Sequence, residues 1–164
     1  MDKGIIACGA VTAMAGTITF AILWAGWLET FEQGQIQCNW NPQASIDVVG
    51  RWKTAVELNM WTYIVMSISC ILAVVGAFVA AVRLVNGIIQ VCCIGTLQMV
   101  AIIYLGVVRL DANGAACADD RGNDMTQQFG AFALNMFIAE LVLSCCLSSC
   151  MSISVRYRKG REMQ

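Results

Sequence analysis

Long apolar stretches constrain the fold of this chain more than any other feature of its sequence. Four of them, at about residues 4–28, 58–82, 87–108 and 129–155, take up most of the 164 residues. A helix needs ~20 apolar residues to cross ~30 Å of hydrocarbon, and each stretch reaches that length. The sequence therefore predicts an all-α protein, a transmembrane four-helix bundle.

The composition agrees with a membrane protein. Hydrophobic residues make up 59% of the chain and charged residues 13%, about half of the ~25% expected of a soluble domain. Because the connections between the apolar stretches are short, no chain is left for a second folded domain. We expect residues 1–164 to form a single four-span transmembrane domain, without a separate soluble catalytic domain.

The placement of basic residues predicts the orientation in the membrane. Lys3 precedes the first span, Arg83 lies in the expected link between the second and third spans, and the tail 156–164 is basic. By the positive-inside rule both termini are cytoplasmic, which leaves outer loops at residues 29–57 and 109–128. The tail is also suited to holding anionic lipid headgroups. Its basic side chains are Arg156, Arg158, Lys159 and Arg161.

All five tryptophans lie in or next to the first outer loop. One interpretation is an aromatic belt that anchors the protein at the membrane interface. The other is a docking surface in which Trp40 or Trp52 is an exposed hot spot.

The expected link at residues 83–86 is so short that the second and third spans must be antiparallel neighbours.

Small side chains predict which helix faces pack. Small residues recur at every fourth position, which places them in stripes where another helix can approach closely. The stripes are Gly9, Ala13, Thr17 and Ala21 in the first span, Ser69, Ala73, Ala77 and Ala81 in the second, and Ser144, Ser148 and Ser152 in the fourth.

The nine cysteines divide by position. Cys38 and Cys117 are the two that lie in the outer loops, and in an oxidising compartment they would form a disulfide; free or intermolecularly paired thiols are the alternative. The other cysteines are expected to pack as small hydrophobes. Cys145, Cys146 and Cys150 precede the basic tail and are alternatively candidates for S-acylation.

Glu140 is the ionisable residue that lies deep within a predicted span, with Gln98 near the middle of the third span at comparable depth and Asn135 five residues before Glu140. A carboxyl deep in a bilayer is costly, which makes Glu140 a candidate functional residue. It is either a protonated group hydrogen-bonded to Gln98 or to a backbone carbonyl, joining helices, or a proton or cation relay or pigment ligand.

The sequence does not favour an enzyme. It contains no histidine to serve as a base, and no GxSxG or phosphate-binding glycine motif. Without histidine or a CxxC spacing, no metal site is predicted. We expect bound lipid but no intrinsic cofactor, with a pigment as the alternative, and we find no support for nucleic acid binding.

The topology resembles that of the claudin and MARVEL tetraspan families. The shared features are four spans, cytoplasmic termini, a longer first outer loop and a cysteine, Cys38, in that loop. The claudin pattern of a tryptophan, Gly-Leu-Trp and two cysteines is not matched, because Gly26-Trp27 comes too early and the second cysteine is missing. The resemblance implies a protein that organises, adheres or accompanies other membrane proteins.

We therefore expect a non-enzymatic scaffold, junction component or accessory subunit that contacts lipids and other membrane proteins or copies of itself. One alternative is a small oligomeric channel or transporter using Glu140. Another is a pigment- or lipid-binding subunit of an energy-converting complex. The plasma membrane or an endomembrane is the expected location, and an organelle membrane is the alternative.

Overall fold

The computed structural model describes residues 3–38 and 47–162, with side chains at 7–38, 47–119 and 122–143. This part of the chain is helical and contains no β-strand, as the predicted all-α class requires. The helices are α1 Lys3–Glu32, α2 Val48–Gly76, α3 Ala80–Ile89, α4 Gly95–Leu110, α5 Ala112–Ala116 and α6 Asp124–Glu162. One π-helical turn, Gln90–Ile94, joins α3 to α4, and a second, Cys117–Arg121, follows α5.

Three helical segments are long and apolar enough to cross a membrane. They are Ala7–Glu32, Val48–Gly76 and the continuous segment Ala80–Leu110. Their length and composition indicate an integral membrane protein, as expected. Helix α6 is longer still, at 39 residues, but the second half of its apolar stretch lies beyond the described side chains.

The turn between α2 and α3 is not where the sequence predicted it. The expected link at residues 83–86 is helical, and the chain turns instead at residues 77–79. Gly76 makes the earlier turn possible, because a Cβ at this position would lie 2.9 Å from Arg83 Cα. The predicted second span, 58–82, is therefore divided between two helices.

Asn86 belongs to the interior of the resulting hairpin. Ser69 Oγ donates to Asn86 Oδ1 at 2.8 Å, and Asn86 Nδ2 donates to the Ser69 carbonyl at 3.2 Å. Both side chains are buried. A polar residue that seemed typical of a link thus fastens α2 to α3, and the expected antiparallel pair is present.

Helix caps shorten both predicted outer loops. Asp47 accepts a hydrogen bond from the Gly50 N–H at 2.8 Å and begins α2 ten residues before the predicted span. Asn123 does the same for α6, accepting from the Thr126 N–H at 2.9 Å. The predicted second loop is itself mostly helical, since α5 and a π-helical turn occupy it.

Helix α1 ends in a Schellman motif centred on Gly34. Gly34 has a φ of +68°, which favours glycine. Its N–H donates to the Phe31 carbonyl at 3.1 Å, and the Gln35 N–H donates to the Thr30 carbonyl at 3.2 Å. The chain therefore leaves α1 in a defined direction, toward the segment that precedes α6.

An aromatic cluster forms the core at the end of the molecule that carries Cys38 and Cys117, called here the disulfide end. Phe129 lies at its centre, with ring centroids 5.0 Å from Phe31, 5.1 Å from Trp52 and 5.2 Å from Trp27. The full cluster is Trp24, Trp27, Phe31, Trp52, Phe129 and Phe132. It brings α1, α2 and α6 together.

Helix α1 packs along α2, α2 packs against α3 and α4, and α4 packs against α6. The contact between α4 and α6 is tight at Gly106, where an added Cβ would lie 2.5 Å from Cε2 of Phe137. Glycine therefore allows the aromatic ring of one helix to rest on the backbone of the other.

The first small-residue stripe packs over half its length. Thr17 is buried and Ala21 half-buried, but Gly9 and Ala13 are exposed. These two exposed residues line a surface groove with Cys8 and Thr12.

The second stripe does not run along one helix, so that prediction is wrong. Ser69 is buried and Ala73 half-buried on α2, but Ala77 lies in the turn and Ala81 is exposed on α3. The reason is the early turn after Gly76. The third stripe, Ser144, Ser148 and Ser152, lies outside the described side chains.

Gly106→Ala tests the contact between α4 and α6. The added methyl group must displace the Phe137 ring, so we expect a loss of about 1–3 kcal/mol in the free energy of unfolding. Gly26→Ala is the matched control, because nothing lies within 4 Å of its added Cβ. Thermal unfolding in detergent measures both; equal melting temperatures would show that the two helices do not approach this closely.

Candidate functional site

Glu140 lies at a junction of three helices. It is 3% exposed on α6, and the hydroxyl of Tyr63 on α2 donates to its Oε1 at 2.5 Å. Phe20 of α1 stacks on the Tyr63 ring with centroids 5.2 Å apart. The carboxyl is therefore enclosed by protein and has a neutral hydroxyl donor as its partner.

The prediction that Glu140 is hydrogen-bonded to Gln98 is wrong. Gln98 is half-buried on α4, Asn135 is exposed on α6, and neither is hydrogen-bonded to Glu140 within the described residues. With spans that begin at residues 58 and 129, as predicted, Tyr63 and Glu140 would lie at different depths in the membrane. With the helices beginning at Val48 and Asp124, Tyr63 lies 15 residues into α2 (63 − 48) and Glu140 lies 16 residues into α6 (140 − 124).

Helices α2 and α6 run in the same direction and in register. Trp52 packs on Phe129 near their starts, and Tyr63 meets Glu140 further along. Both contacts are separated by 11 residues on each helix (63 − 52 and 140 − 129). The burial of Tyr63 and Glu140 is thus a consequence of the same parallel alignment that builds the aromatic cluster.

Hydroxyl groups join α1 to α2 one turn from this pair. Ser67 Oγ lies 2.8 Å from both Thr17 Oγ1 and the Tyr63 carbonyl oxygen. Thr17 itself donates to the Met14 carbonyl at 3.0 Å, so its oxygen is free to accept from Ser67. Such interhelical hydrogen bonds stabilise membrane proteins by ~0.6 kcal/mol each on average.

The arrangement around Glu140 is suited to holding helices together. The Tyr63 hydroxyl is bonded to Glu140 Oε1, and no ionisable side chain other than this tyrosine is bonded to the enclosed carboxyl among the described residues. Within the same part of the chain, no group of three or more His, Cys, Asp or Glu side chains could hold a metal ion.

The predicted disulfide is present: Cys38, after α1, is bonded to Cys117, before α6. Backbone pairing between Cys38 and Gly122 continues the link. The Gln37 N–H also donates to Thr126 Oγ1 at 3.0 Å, and Asn123 Nδ2 donates to the Gln35 carbonyl at 2.7 Å. The disulfide is therefore one of several bonds that fasten these two segments.

Arg109, at the start of the predicted outer loop 109–128, is a structural residue. Its Nε donates to the Gly130 carbonyl at 2.9 Å and its Nη2 to Asp119 at 3.2 Å, and the residue is 7% exposed. A guanidinium buried with charge-assisted hydrogen bonds joins the end of α4 to α6. Its position in the last turn of a helix, where a positive charge is favoured, was a usable signal.

Of the tryptophan predictions, the structure contradicts the exposed hot spot at Trp52, whereas the interfacial belt and a docking surface at Trp40 stay predictions. Trp52 is buried and its Nε1 donates to the Val108 carbonyl at 3.3 Å, so it is not an exposed hot spot. Trp24 is fully buried, whereas Trp61 is 58% exposed. Trp40 lies outside the described residues. Aromatic packing between helices accounts for most of these positions.

Several predicted sites lie outside the described side chains. They are the acylation candidates Cys145, Cys146 and Cys150, and the headgroup-binding residues Arg156, Arg158, Lys159 and Arg161. These stay predictions.

No protein-family model, curated protein or solved structure matches this chain. The resemblance to claudin and MARVEL proteins therefore stays a prediction from topology.

Tyr63→Phe tests the role of the Tyr63–Glu140 hydrogen bond. Removing the hydroxyl leaves a buried carboxyl oxygen without its donor, so we expect a loss of about 1–3 kcal/mol in unfolding free energy. Tyr104→Phe is the control, because Tyr104 makes no hydrogen bond through its hydroxyl within the described residues. Unchanged stability in Tyr63→Phe would contradict a structural hydrogen bond.

Replacing Cys38 and Cys117 together by alanine removes a link between residues 79 positions apart. We expect the unfolding free energy to fall by about 2–4 kcal/mol. The paired control replaces Cys92 and Cys93, which are exposed and unbonded. Alkylation of Cys38 in the native protein without reductant would contradict the disulfide.

Proposed function

We propose that this protein is a non-enzymatic membrane protein with four spans, and that it acts as a scaffold, junction component or accessory subunit of a larger membrane assembly. The observation that carries the proposal is the use of the polar groups within its helices. Three pairs of them bond across helices, Tyr63–Glu140, Ser67–Thr17 and Ser69–Asn86, and so join helices. What the helices offer to their surroundings is mainly apolar surface.

The contacts that α6 makes with α2 and α4 support α6 as the fourth span. Glu140 of α6 reaches Tyr63, well inside α2, and Phe137 of α6 rests on Gly106 of α4. Both α2 and α4 belong to segments able to cross a membrane. A helix aligned with them at these depths shares their apolar environment.

The disulfide supports an orientation with both termini in the cytoplasm. Disulfides persist in oxidising compartments, so the bond between Cys38 and Cys117 favours an extracellular or lumenal position for the disulfide end. The basic residues at the other end of the chain agree with this orientation. The plasma membrane and the endomembranes are the compartments that meet both conditions.

Exposed apolar side chains support association within the membrane. They occur on every long helix, and examples are Ile22, Ile68, Leu84, Ile103 and Leu143, each more than half exposed. Lipid tails and the helices of other membrane proteins can cover such surfaces, whereas water cannot do so without cost.

The enclosure of Glu140 favours association over the channel alternative. A relay or pore residue must meet water or a chain of ionisable groups, and Glu140 is 3% exposed with a tyrosine as its partner. The pigment alternative gains no support from the hydrogen bonds either, because neither Gln98 nor Asn135 is bonded to Glu140 within the described residues.

Purification in mild detergent, followed by mass determination and reconstitution into liposomes, tests the proposal. We expect foreign subunits or further copies to co-purify, no visible absorbance, and no more proton or cation flux than in empty liposomes. Glu140→Gln is the matched variant and should behave like the wild type in the flux assay. Flux in the wild type that disappears in Glu140→Gln would replace the proposed function with a channel or transporter.

A further inference from the structure

The exposed surface of α2 changes from charged to apolar within one helical turn. Lys53 forms ion pairs with Glu57 and with Glu32 of α1, and all three side chains are more than a third exposed. One turn after Glu57, Trp61 is 58% exposed, and Ile68, two turns further on, is 54% exposed. Charged side chains that face hydrocarbon are costly, so a membrane surface can meet α2 where this change occurs.

Helix α1 changes at the same level. It runs antiparallel to α2, and its Phe20 stacks on Tyr63. Two residues further along α1 and two residues back along α2, this register brings Ile22 level with Trp61. Ile22 is 65% exposed, and the next charged residue of α1, Glu29, is exposed nearer the disulfide end.

Helix α6 shows the same change. The offset of 77 residues between α2 and α6 (129 − 52 and 140 − 63) places Ile138 level with Trp61. Ile138 is 49% exposed. The exposed polar side chains in the described part of α6 all lie nearer the disulfide end, and they are Asp124, Gln127, Gln128 and Asn135. Three helices therefore become apolar on their exposed faces at one common level.

The opposite limit of the apolar surface lies beside the turn between α2 and α3. Arg83 is exposed there, and it is level with Gly76, whose added Cβ would lie 2.9 Å from Arg83 Cα. Glu57 and Gly76 are 19 residues apart (76 − 57), about 28 Å along a helix. Between these levels, no side chain in the described part of the chain is both charged and exposed. The charged levels are thus about as far apart as the ~30 Å thickness of a hydrocarbon core.

We infer that the outer surface of the membrane meets the bundle at Trp61, with the Trp61 indole bound in the phospholipid headgroup layer and the disulfide end standing in water as a helical cap. Tryptophan suits this layer because its ring is apolar and its N–H is a donor. Trp52 Nε1 donates to the Val108 carbonyl. Trp61 Nε1 has no such partner within the described part of the chain, so it is free to donate to a lipid oxygen. The inference rests on the proposed function, in which four helices cross the membrane.

The cap explains where the aromatic cluster lies. Helix α2 extends nine residues outward from Glu57 to Val48 (57 − 48), about 14 Å. Phe129, Phe31 and Trp52 pack together at this end. Burial of apolar area stabilises a structure in water but supplies no such drive between helices in lipid. Large buried rings are therefore most effective in the part of the bundle that water surrounds.

Quenching of tryptophan fluorescence by brominated phospholipids tests the inference in liposomes. The lipids carry bromine either near the headgroup or near the end of the acyl chain, and the fluorescence lost in Trp61→Phe identifies the signal of Trp61. We expect the shallow bromines to quench that signal more strongly than the deep ones. Trp24→Phe is the matched control, because it removes a fully buried indole, and it should leave the quenching by both lipids unchanged.

Two further variants move the tryptophan by two helical turns along the same face of α2. Both new positions, 54 and 68, are exposed. Combined with Trp61→Phe, Ile68→Trp places the indole about 10 Å deeper, and the deep bromines should quench it more strongly. Thr54→Trp places the indole about 10 Å further out, so iodide in the water should quench it and neither lipid should.

Stronger quenching of Trp61 by the deep bromines overturns the inference, and so does quenching by iodide with none by either lipid. Both results leave the four spans of the proposed function standing. Absence of lipid quenching at positions 54, 61 and 68 alike would contradict α2 as a span, and with it the proposed function. The melting temperature of each variant, measured alongside, identifies any variant that does not fold.

Discussion

The structure depends on the cost of leaving a polar group unpaired in hydrocarbon. Helices satisfy their own backbone groups, but a carboxyl, a carboxamide or a hydroxyl must find a partner on a neighbouring helix or on its own backbone. Glu140 finds Tyr63, Asn86 finds Ser69, and Ser67 finds Thr17. Each bond requires two helices at one relative height, so together they set the register of α1, α2, α3 and α6.

The disulfide end adds a second level of constraint. The aromatic cluster around Phe129 buries large rings from three helices, and Arg109 bonds α4 to α6 beside it. The Cys38–Cys117 bond and the hydrogen bonds of Thr126 then join the segment that follows α1 to the segment at the start of α6. The other end of α1 contrasts with this, since Gly9 and Ala13 are exposed there. Packing is therefore concentrated at the disulfide end.

The sequence was informative where one physical cause dominates. Apolar stretches predicted the helical membrane fold, and the position of cysteines outside those stretches predicted the Cys38–Cys117 bond. The sequence was misleading at polar residues that fit either a connecting loop or a buried position between helices. Asn86 and Arg109 looked like residues of connections, but each has a buried hydrogen-bond partner. The partner of Glu140 was missed because it depends on where α2 and α6 begin, and capping by Asp47 and Asn123 sets those starts.

A double-mutant cycle between Tyr63 and Glu140 tests the central claim, that the polar groups of these helices hold one helix against another. The cycle compares the unfolding free energies of the wild type, Tyr63→Phe, Glu140→Gln and the double variant in one detergent. We expect a coupling energy of about 0.5–2 kcal/mol, since the two residues are in direct contact. Additive effects, with a coupling energy of zero within error, would contradict the account.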